Sequence, residues 1–491
     1  MTSIPKKKSL KLNFIMNAIL TMSSFIFPLI TFPYVSRILL PVGMGKVSFA
    51  RSVVSYFALF AQLGIPTYGI RACAKVRDDK EALSKTVQEL LSINLLMSMI
   101  VYLAFFVVIA VVPRLQQERL LFLIVSLTIL FNAIGIEWLY KALEQYSYIT
   151  IRSIIFKLVA LVAMFVLVHK QEDYVIYGGI SILASSASNI FNFLHVHRYV
   201  SLRPVGGYDF RKHLKAVVIF FAMSCATTIY TNLDSVMLGF MATDADVGYY
   251  NAAVKIKTIL VSIVTALGTV LLPRASYYVE NGMEKEFKRI TQKALSFVFL
   301  VATPMMLYFI FFAKEGICFL SGSAYADSIV PMQIIMPTLL FVGITNILGI
   351  QILVPLGKEK TVLYSEIAGA VMDVIINAIL IPRFTSAGAA IGTLAAEFVV
   401  LVVQYVALRD EVVDSFKQIH YVRILVALIL GSAASLWVKT LGLGNFLTLL
   451  SSALLFFGVY GFYLLARKEQ MIVEIWNMVV GKVFKKVKIK N

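Results

Sequence analysis

Apolar stretches long enough to cross a membrane recur along the whole chain, and the polar residues between them gather in short clusters rather than in an alternating surface pattern. A helix needs roughly 20 residues to span the hydrocarbon core, so runs of that length bounded by charges or turn residues predict transmembrane helices. The runs fall at about 12–33, 47–70, 87–112, 119–141, 150–168, 175–197, 216–241, 249–272, 291–312, 328–354, 363–381, 387–408, 422–440 and 445–466, which makes fourteen. After the basic start MTSIPKKKSLKLNF the apolar run continues from Leu12 to Leu40 with no small-residue cleavage pattern, so it reads as a retained first helix rather than a signal peptide. The predicted fold class is an all-α polytopic membrane protein of about fourteen transmembrane helices.

Composition agrees: 59% of residues are hydrophobic and 15% charged, with a mean hydropathy of +0.84. The net charge of +18 would suggest nucleic acid in a soluble chain, but here its distribution explains it. With the termini and the loops after even-numbered spans taken as one side, that side carries 33 of the 45 Lys and Arg residues and the other side 8. By the positive-inside rule both termini are cytoplasmic, and no nucleic-acid partner is needed. The longest loops, near 198–215 and 273–290, are basic and too short for a catalytic domain, so the chain is not read as an enzyme. Cys73, Cys225 and Cys318 lie far apart, and no Cys/His spacing suggests a metal site. Beyond the last span, 469–485 places Gln470, Glu474, Asn477, Gly481 and Lys485 on one stripe, and Lys482, Lys485, Lys486, Lys488 and Lys490 would attract anionic lipid; this reads as a basic amphipathic helix on the inner leaflet.

An internal repeat orders the spans. SRILLPVGMGKVSFAR, Ser36 to Arg51, compares with DSVMLGFMATDADVGYYNAAV, Asp234 to Val254, with Gly45 and Ala50 matching Gly248 and Ala253 at an offset of 203 residues. A repeat at the scale of six spans predicts two pseudo-symmetric six-helix lobes with a substrate site between them. The expected organisation is an N-terminal lobe over 1–198, a cytoplasmic linker over 199–215, a second lobe over 216–408, two accessory helices over 409–466 and the basic tail over 467–491.

Three segments carry a family likeness: RILLPVGMGKVSFARSVVSYFALFAQLGIPTYGIRACAKVRDD, NAIGIEWLYKALEQYSYITIRSIIFK and LGKEKTVLYSEIAGAVMDVIINAILIPRFTSAGAAIGTLAAE. Over essentially its whole length the chain resembles the Wzx-like oligosaccharide flippases of the multidrug/oligosaccharidyl-lipid/polysaccharide exporter superfamily. The resemblance implies two six-helix lobes plus two further helices in the bacterial cytoplasmic membrane. It also implies transport of undecaprenyl-pyrophosphate-linked glycan from the inner to the outer leaflet for capsule, exopolysaccharide or O-antigen assembly, with a polysaccharide polymerase and a chain-length regulator as partners alongside membrane lipids. The chain departs from the drug-exporting branch, typically of twelve spans, by carrying two more.

A charge inside the hydrocarbon costs about 2.5–3.5 kcal/mol even on insertion scales, so the intramembrane polar residues mark candidate sites. Arg51 in span 2, with Lys255 and Lys257 in span 8, offers cations at similar depth in both lobes, as a pyrophosphate would need; Lys157 in span 5 could receive it on loading or pair with Glu137. Ser55 and Gln62 extend the Arg51 face toward hydroxyl-rich sugars. In span 7, Thr227, Thr231, Asp234 and Ser235 share a face with Asn232 beside them, and Asp234 is expected to neutralise Arg51 or Lys255 or to bind a coupling cation. Glu366, Asp373 and Asn377 in span 11, with Glu397 in span 12, form an acidic stripe that could pair charges or couple Na⁺ or protons. No resident cofactor or metal is expected. Pro28, Pro33, Pro66, Pro304 and Pro337 mark expected kinks.

The reading is a transporter that flips the lipid-linked glycan by alternating access, making and breaking no bond. A cation-coupled multidrug or metabolite antiporter and a lipid-linked sugar polymerase are the alternatives. The first should present an acidic and aromatic site and the second a long external catalytic loop.

Overall fold

The computed structural model describes residues 10–474 and residue 477, and every described element is helical. Most of the expected 469–485 helix, and Lys482, Lys485, Lys486, Lys488 and Lys490 in and beyond it, lie outside the described residues. Two compact units divide the chain, Met1–Asn251 and Ala252–Asn491.

Nine of the described helices are long and apolar enough to cross a membrane, or up to eleven if each of two bent pairs counts as one span. The expectation is fourteen, and the difference lies at particular residues. Leu10–Gln62 runs as one element of 53 residues, about 80 Å if straight and far beyond a bilayer's hydrocarbon thickness, but its backbone breaks at Leu40 with φ 57°. Glu359–Ala407 likewise breaks at Thr385 with φ 45°. A positive φ is costly for these side chains and interrupts the helical ladder. The fourth expected span is cut to Arg119–Gly135 by Ile136 at φ 39°, and a separate helix, Glu137–Ala142, follows.

In the first unit, Tyr146–Leu167 runs parallel to the start of Leu10–Gln62. Three hydrogen bonds of identical sequence separation fix the register: Thr150 Oγ1 to the Met16 carbonyl at 2.9 Å, Lys157 Nζ to Ser23 Oγ at 2.8 Å and Tyr34 hydroxyl to the Val168 carbonyl at 3.0 Å. After a break at Leu63 and Gly64, Pro66 begins the helix Ile65–Lys75 in the first turn, where its missing N–H costs nothing. Lys80–Val111 is capped by Asp79, whose carboxylate accepts from the Glu81 and Ala82 amides. At this end an apolar cluster that includes Ile65, Leu83, Leu90, Trp138, Leu139 and Val217 closes the unit. The linker from Ser201 to Asp209 is strapped to the same helix, because Gln88 Nε2 donates to the Ser201 and Arg203 carbonyls at 2.7 and 2.8 Å while Glu89 accepts from the Asp209 amide at 2.7 Å.

The linker leads into Arg211–Met241, which we call the wall helix; it bends by 49° between Arg211–Ala222 and Thr227–Met241. In the second unit, the arms on either side of Thr385 pack antiparallel: Gln404 Nε2 donates to Ser365 Oγ at 3.0 Å, and Gly392 lies against Asn377 and Asp373. A second bend, of 45°, separates Ser323–Ile335 from Thr338–Leu353 at the expected kink, Pro337. Pro304 sits inside the unbroken helix Glu284–Phe311. The last helix, Asn445–Ala466, is tied to Glu284–Phe311 by the Tyr308 hydroxyl, which donates to the Leu449 carbonyl at 2.8 Å, and by the Tyr460 hydroxyl on the Leu300 carbonyl at 3.0 Å.

Candidate functional site

A cavity of about 400 Å³ lies inside the first unit. Four elements supply its polar side chains: the stretch 51–62 of the first long helix, Arg119–Gly135, the π-helical turn Leu183–Ala187 and the wall helix. Residues three and four apart share a helix face, and each wall delivers its polar groups on that rule. Arg51, Ser55 and Gln62 come from the first, Thr128 and Asn132 from the second, Ser185 from the π turn, and Ser224, Thr228 and Asn232 from the fourth. Eleven residues separate Arg51 from Gln62, so the polar column is about 16 Å long.

Local hydrogen bonds decide what these groups can offer a guest. Ser55 and Ser185 give their hydroxyl protons to the carbonyls of Ser52 at 2.7 Å and Ser181 at 2.9 Å, which leaves oxygen lone pairs for the cavity. Asn232 Nδ2 donates to the Thr228 carbonyl at 3.1 Å and to Thr231 Oγ1 at 3.0 Å, so its Oδ1 remains an acceptor. Asn189 Nδ2 donates to Asn132 Oδ1 at 3.2 Å, which leaves the Asn132 amide N–H groups as donors. Acceptors and donors are thus set side by side, as hydroxyl-rich molecules require. The named lining contains no carboxylate and no aromatic ring, and Arg51 is its one ionisable group. Among the described residues no ion pair involves Arg51, which is exposed to the cavity rather than to a partner.

Arg51, Ser55, Gln62 and Asn232 therefore lie together around this cavity, whereas other candidates are placed elsewhere. Thr231 is exposed outside the cavity lining; the wall helix turns Ser224, Thr228 and Asn232 inward instead of the expected face of Thr227, Thr231 and Asp234. Asp234 is buried and accepts a hydrogen bond from the Tyr250 hydroxyl, and it forms no pair with Arg51. Lys157 binds Ser23 Oγ at 2.8 Å and Ser24 Oγ at 3.1 Å. Its expected alternative partner, Glu137, is taken by Lys141 at 2.9 Å and by Arg152 at 3.1 Å, because Arg152 lies five residues nearer the start of the same helix. Lys255 and Lys257 lie half-buried on Asp244–Glu280, within the second unit. Asp373 and Glu397 are buried in that unit and Glu366 half-buried; Asp373 Oδ1 accepts from Asn377 Nδ2 at 3.2 Å. No three His, Cys, Asp or Glu side chains converge as a metal-holding group among the described residues.

Thr128, Asn132, Ser185, Ser224 and Thr228 line the cavity without having been singled out in the sequence. Asn132 was the strongest available signal, as an amide well inside an apolar run, and the stretch ILASSASNIFN was the second.

Known proteins bear on this site in three ways. The family model described as polysaccharide biosynthesis protein matches residues 10–279, and the model described as MatE matches residues 220–379. A putative O-antigen transporter of Escherichia coli (strain K12) is 23% identical over 406 residues, covering 82% of this chain and 98% of the relative. Its counterpart in Shigella dysenteriae is 25% identical over 411 residues, covering 82% and 100%. Among solved structures, the lipid II flippase MurJ in an inward closed conformation superposes with a TM-score of 0.70 at 15% identity, over 93% of this chain and all of that one. An outward-facing multidrug resistance MATE family transporter of the MOP superfamily gives 0.52 at 15% identity over 83% of this chain and 96% of that one. These two likenesses establish a shared fold.

Proposed function

The chain belongs to the polysaccharide biosynthesis protein family, and from that premise we infer that it flips lipid-linked oligosaccharide across the membrane for surface-polysaccharide synthesis. The relatives bearing the name O-antigen transporter support this reading along most of the chain. One observation carries it at the level of chemistry: a 16 Å polar column, rich in neutral donors and acceptors, ends in a guanidinium that no carboxylate neutralises among the described residues. Holding a guanidinium at membrane depth costs several kcal/mol, which an anionic group on the guest would recover. A site built for cationic drugs would need the opposite charge or aromatic rings, and the named lining has neither.

In the finer form of the proposal, the substrate is undecaprenyl-pyrophosphate-linked repeat units and the movement is from the inner to the outer leaflet of the bacterial cytoplasmic membrane. The headgroup passes through the protein by alternating access while the polyprenyl tail stays in lipid. Both termini face the cytoplasm, from the distribution of Lys and Arg. Lys157, Lys255 and Lys257 serve as further anion-binding groups. The buried acids of the second unit, Asp373 and Glu397, with Glu366, couple the movement to a Na⁺ or proton gradient, since a cavity alone only equilibrates the two leaflets. No bond is made or broken. A polymerase and a chain-length regulator act on the product outside.

The test is deletion of the gene followed by a membrane-impermeant sugar-modifying probe. Glycan stranded on the cytoplasmic leaflet, with loss of surface polysaccharide, is the expected outcome. Normal outward exposure in a strain with no second flippase would refute flipping, and single repeat units accumulating outside would point to a polymerase.

A further inference from the structure

The glycines of the internal repeat meet each other. A Cβ built on Gly45 would lie 2.7 Å from the Asp244 carbonyl carbon, and one built on Gly248 would lie 2.8 Å from the Pro41 carbonyl carbon, so backbone touches backbone at both positions. Pro41 matches Asp244 and Gly45 matches Gly248 at the same offset of 203 residues. The contact is thus reciprocal, 41 with 248 and 244 with 45, as in an interface about a two-fold axis. All four residues belong to the first compact unit.

Arg114 fastens this contact from the side. Its guanidinium pairs with Asp244, donates from Nε to the Gly239 carbonyl at 2.9 Å and sits 5.1 Å from the centre of the Phe49 ring. Gly239 in turn leaves the space that the Phe49 ring fills. Gly45 and Phe49 precede Arg51 by less than two helical turns, and Gly239 follows Asn232 by two, so the contact stands directly over the Arg51 end of the cavity.

Side chains that interdigitate make an interface hard to part. At Gly45 and Gly248 the two turns abut backbone to backbone rather than side chain to side chain, the Phe49 ring fills the gap left by Gly239, and Arg114 supplies a polar fastening. We propose that this contact, residues 41–49 against 239–248 with Arg114 as its latch, is the exit gate of the cavity. The gate opens when the two turns separate and Arg114 releases Asp244 and the Gly239 carbonyl, and it closes only because both turns carry glycine at the point of contact. The assignment of this end as the outer one rests on the flippase reading above.

The experiment uses the full-length protein in cells, with Cys73, Cys225 and Cys318 replaced and a reporter cysteine at Ser185→Cys in the cavity wall. A membrane-impermeant maleimide applied from outside reads whether the gate is closed. Gly45→Val and Gly248→Val should each raise labelling at least fivefold over the parent, and Arg114→Ala should raise it by less. Should the glycine variants fail to accumulate, Arg114→Cys with Asp244→Cys, bridged by a cleavable bifunctional thiol reagent, should stop glycan export and regain it on cleavage. Unchanged labelling in folded glycine variants, a rise seen only from the cytoplasmic side, or bridged protein exporting at the parent rate would each overturn the gate. Labelling requires no glycan, so a chain that gates as described but flips nothing would overturn the function and leave the gate standing.

Discussion

The wall helix is held at both ends, and the two fastenings are built on opposite principles. At its Met241 end glycines let backbone meet backbone and the partly exposed Arg114–Asp244 pair secures them. At its Arg211 end a carboxylate with no solvent exposure, Glu89, accepts from Lys212 Nζ at 2.7 Å, His213 Nε2 at 2.9 Å and the Asp209 amide at 2.7 Å. His213 Nδ1 in turn lies 2.8 Å from the Tyr68 hydroxyl, which donates to it when Nε2 carries the proton for Glu89. Gly64, at φ 73°, adds a close approach to the Phe220–Phe221 backbone. A fastening made by shape can part and re-form with little desolvation, whereas separating a buried charge from its donors exposes an unmet cost. The Arg211 end is therefore expected to anchor and the Met241 end to yield, and the 49° bend between them lies where the helix lines the cavity.

The largest expected effect tests the anchor. Glu89→Ala leaves the buried His213 ring and the Asp209 amide without their acceptor and should cost several kcal/mol, about 1–3 kcal/mol for each donor left unmet. In detergent, the melting temperature should fall sharply and the protein level in membranes with it. Glu89→Gln, which keeps an acceptor, should lose less. If both variants melt like the parent, the Glu89 fastening is not an anchor and the contrast collapses.

Next comes the latch. Arg114→Ala removes one charge-assisted pair and one hydrogen bond to a carbonyl from a partly exposed site, an expected loss of about 1–3 kcal/mol. A melting shift clearly smaller than that of Glu89→Ala supports the ordering, and a larger one reverses it.

Arg51 sharpens the contrast from the other side, because no ion pair holds it among the described residues. Arg51→Gln should change stability by no more than about 0.5 kcal/mol, as for an exposed side chain outside any ion pair among the described residues. Glycan export at normal protein level should nonetheless drop severely. Unchanged export would remove Arg51 from the mechanism, and a large loss of stability would mean that a partner holds it.

What the sequence revealed of these sites follows from which interactions are local. Hydropathy located the helices because membrane crossing is a property of each run by itself. It could not see that Leu40 and Thr385 would break the backbone within elements otherwise continuous in helical dihedrals. The facing of Arg51, Ser55 and Gln62 was legible because one regular helix carries all three. The wall helix lines the cavity with Thr228 and Asn232, one residue on from the polar face of Thr227 and Thr231, because polarity marks a face without showing which neighbours it meets. Gly45 and Gly248 stood out as a repeat, but only the fold shows that they touch. Glu89 gave no signal, because at the edge of an apolar run a glutamate looks solvated until the linker is seen to fold over it.

The smallest expected effect concerns the same pair chemistry left in water. Lys293 Nζ lies 3.0 Å from Glu474 Oε1, both side chains well exposed, and ties the chain beyond the last helix to Glu284–Phe311. The hydrogen bond from Lys293 holds the Glu474 carboxyl below its ordinary value of 4.5. A carboxyl whose pKa is lowered by folding contributes its stability above its unfolded value and loses it as pH falls through that value and below. Between neutral pH and the ordinary carboxylate range the attachment should be indifferent to acidity, and below that range the segment around 470–474 should loosen while the rest of the chain holds. Amide exchange of that segment in detergent, compared at neutral and acidic pH, reads this directly. Glu474→Gln should show the loosened exchange at every pH. Loosening by acid of the Asp209 amide on Glu89 over the same range would show instead that the buried carboxylate is no firmer than the exposed one, and the distinction between anchor and latch would have to be drawn on other grounds.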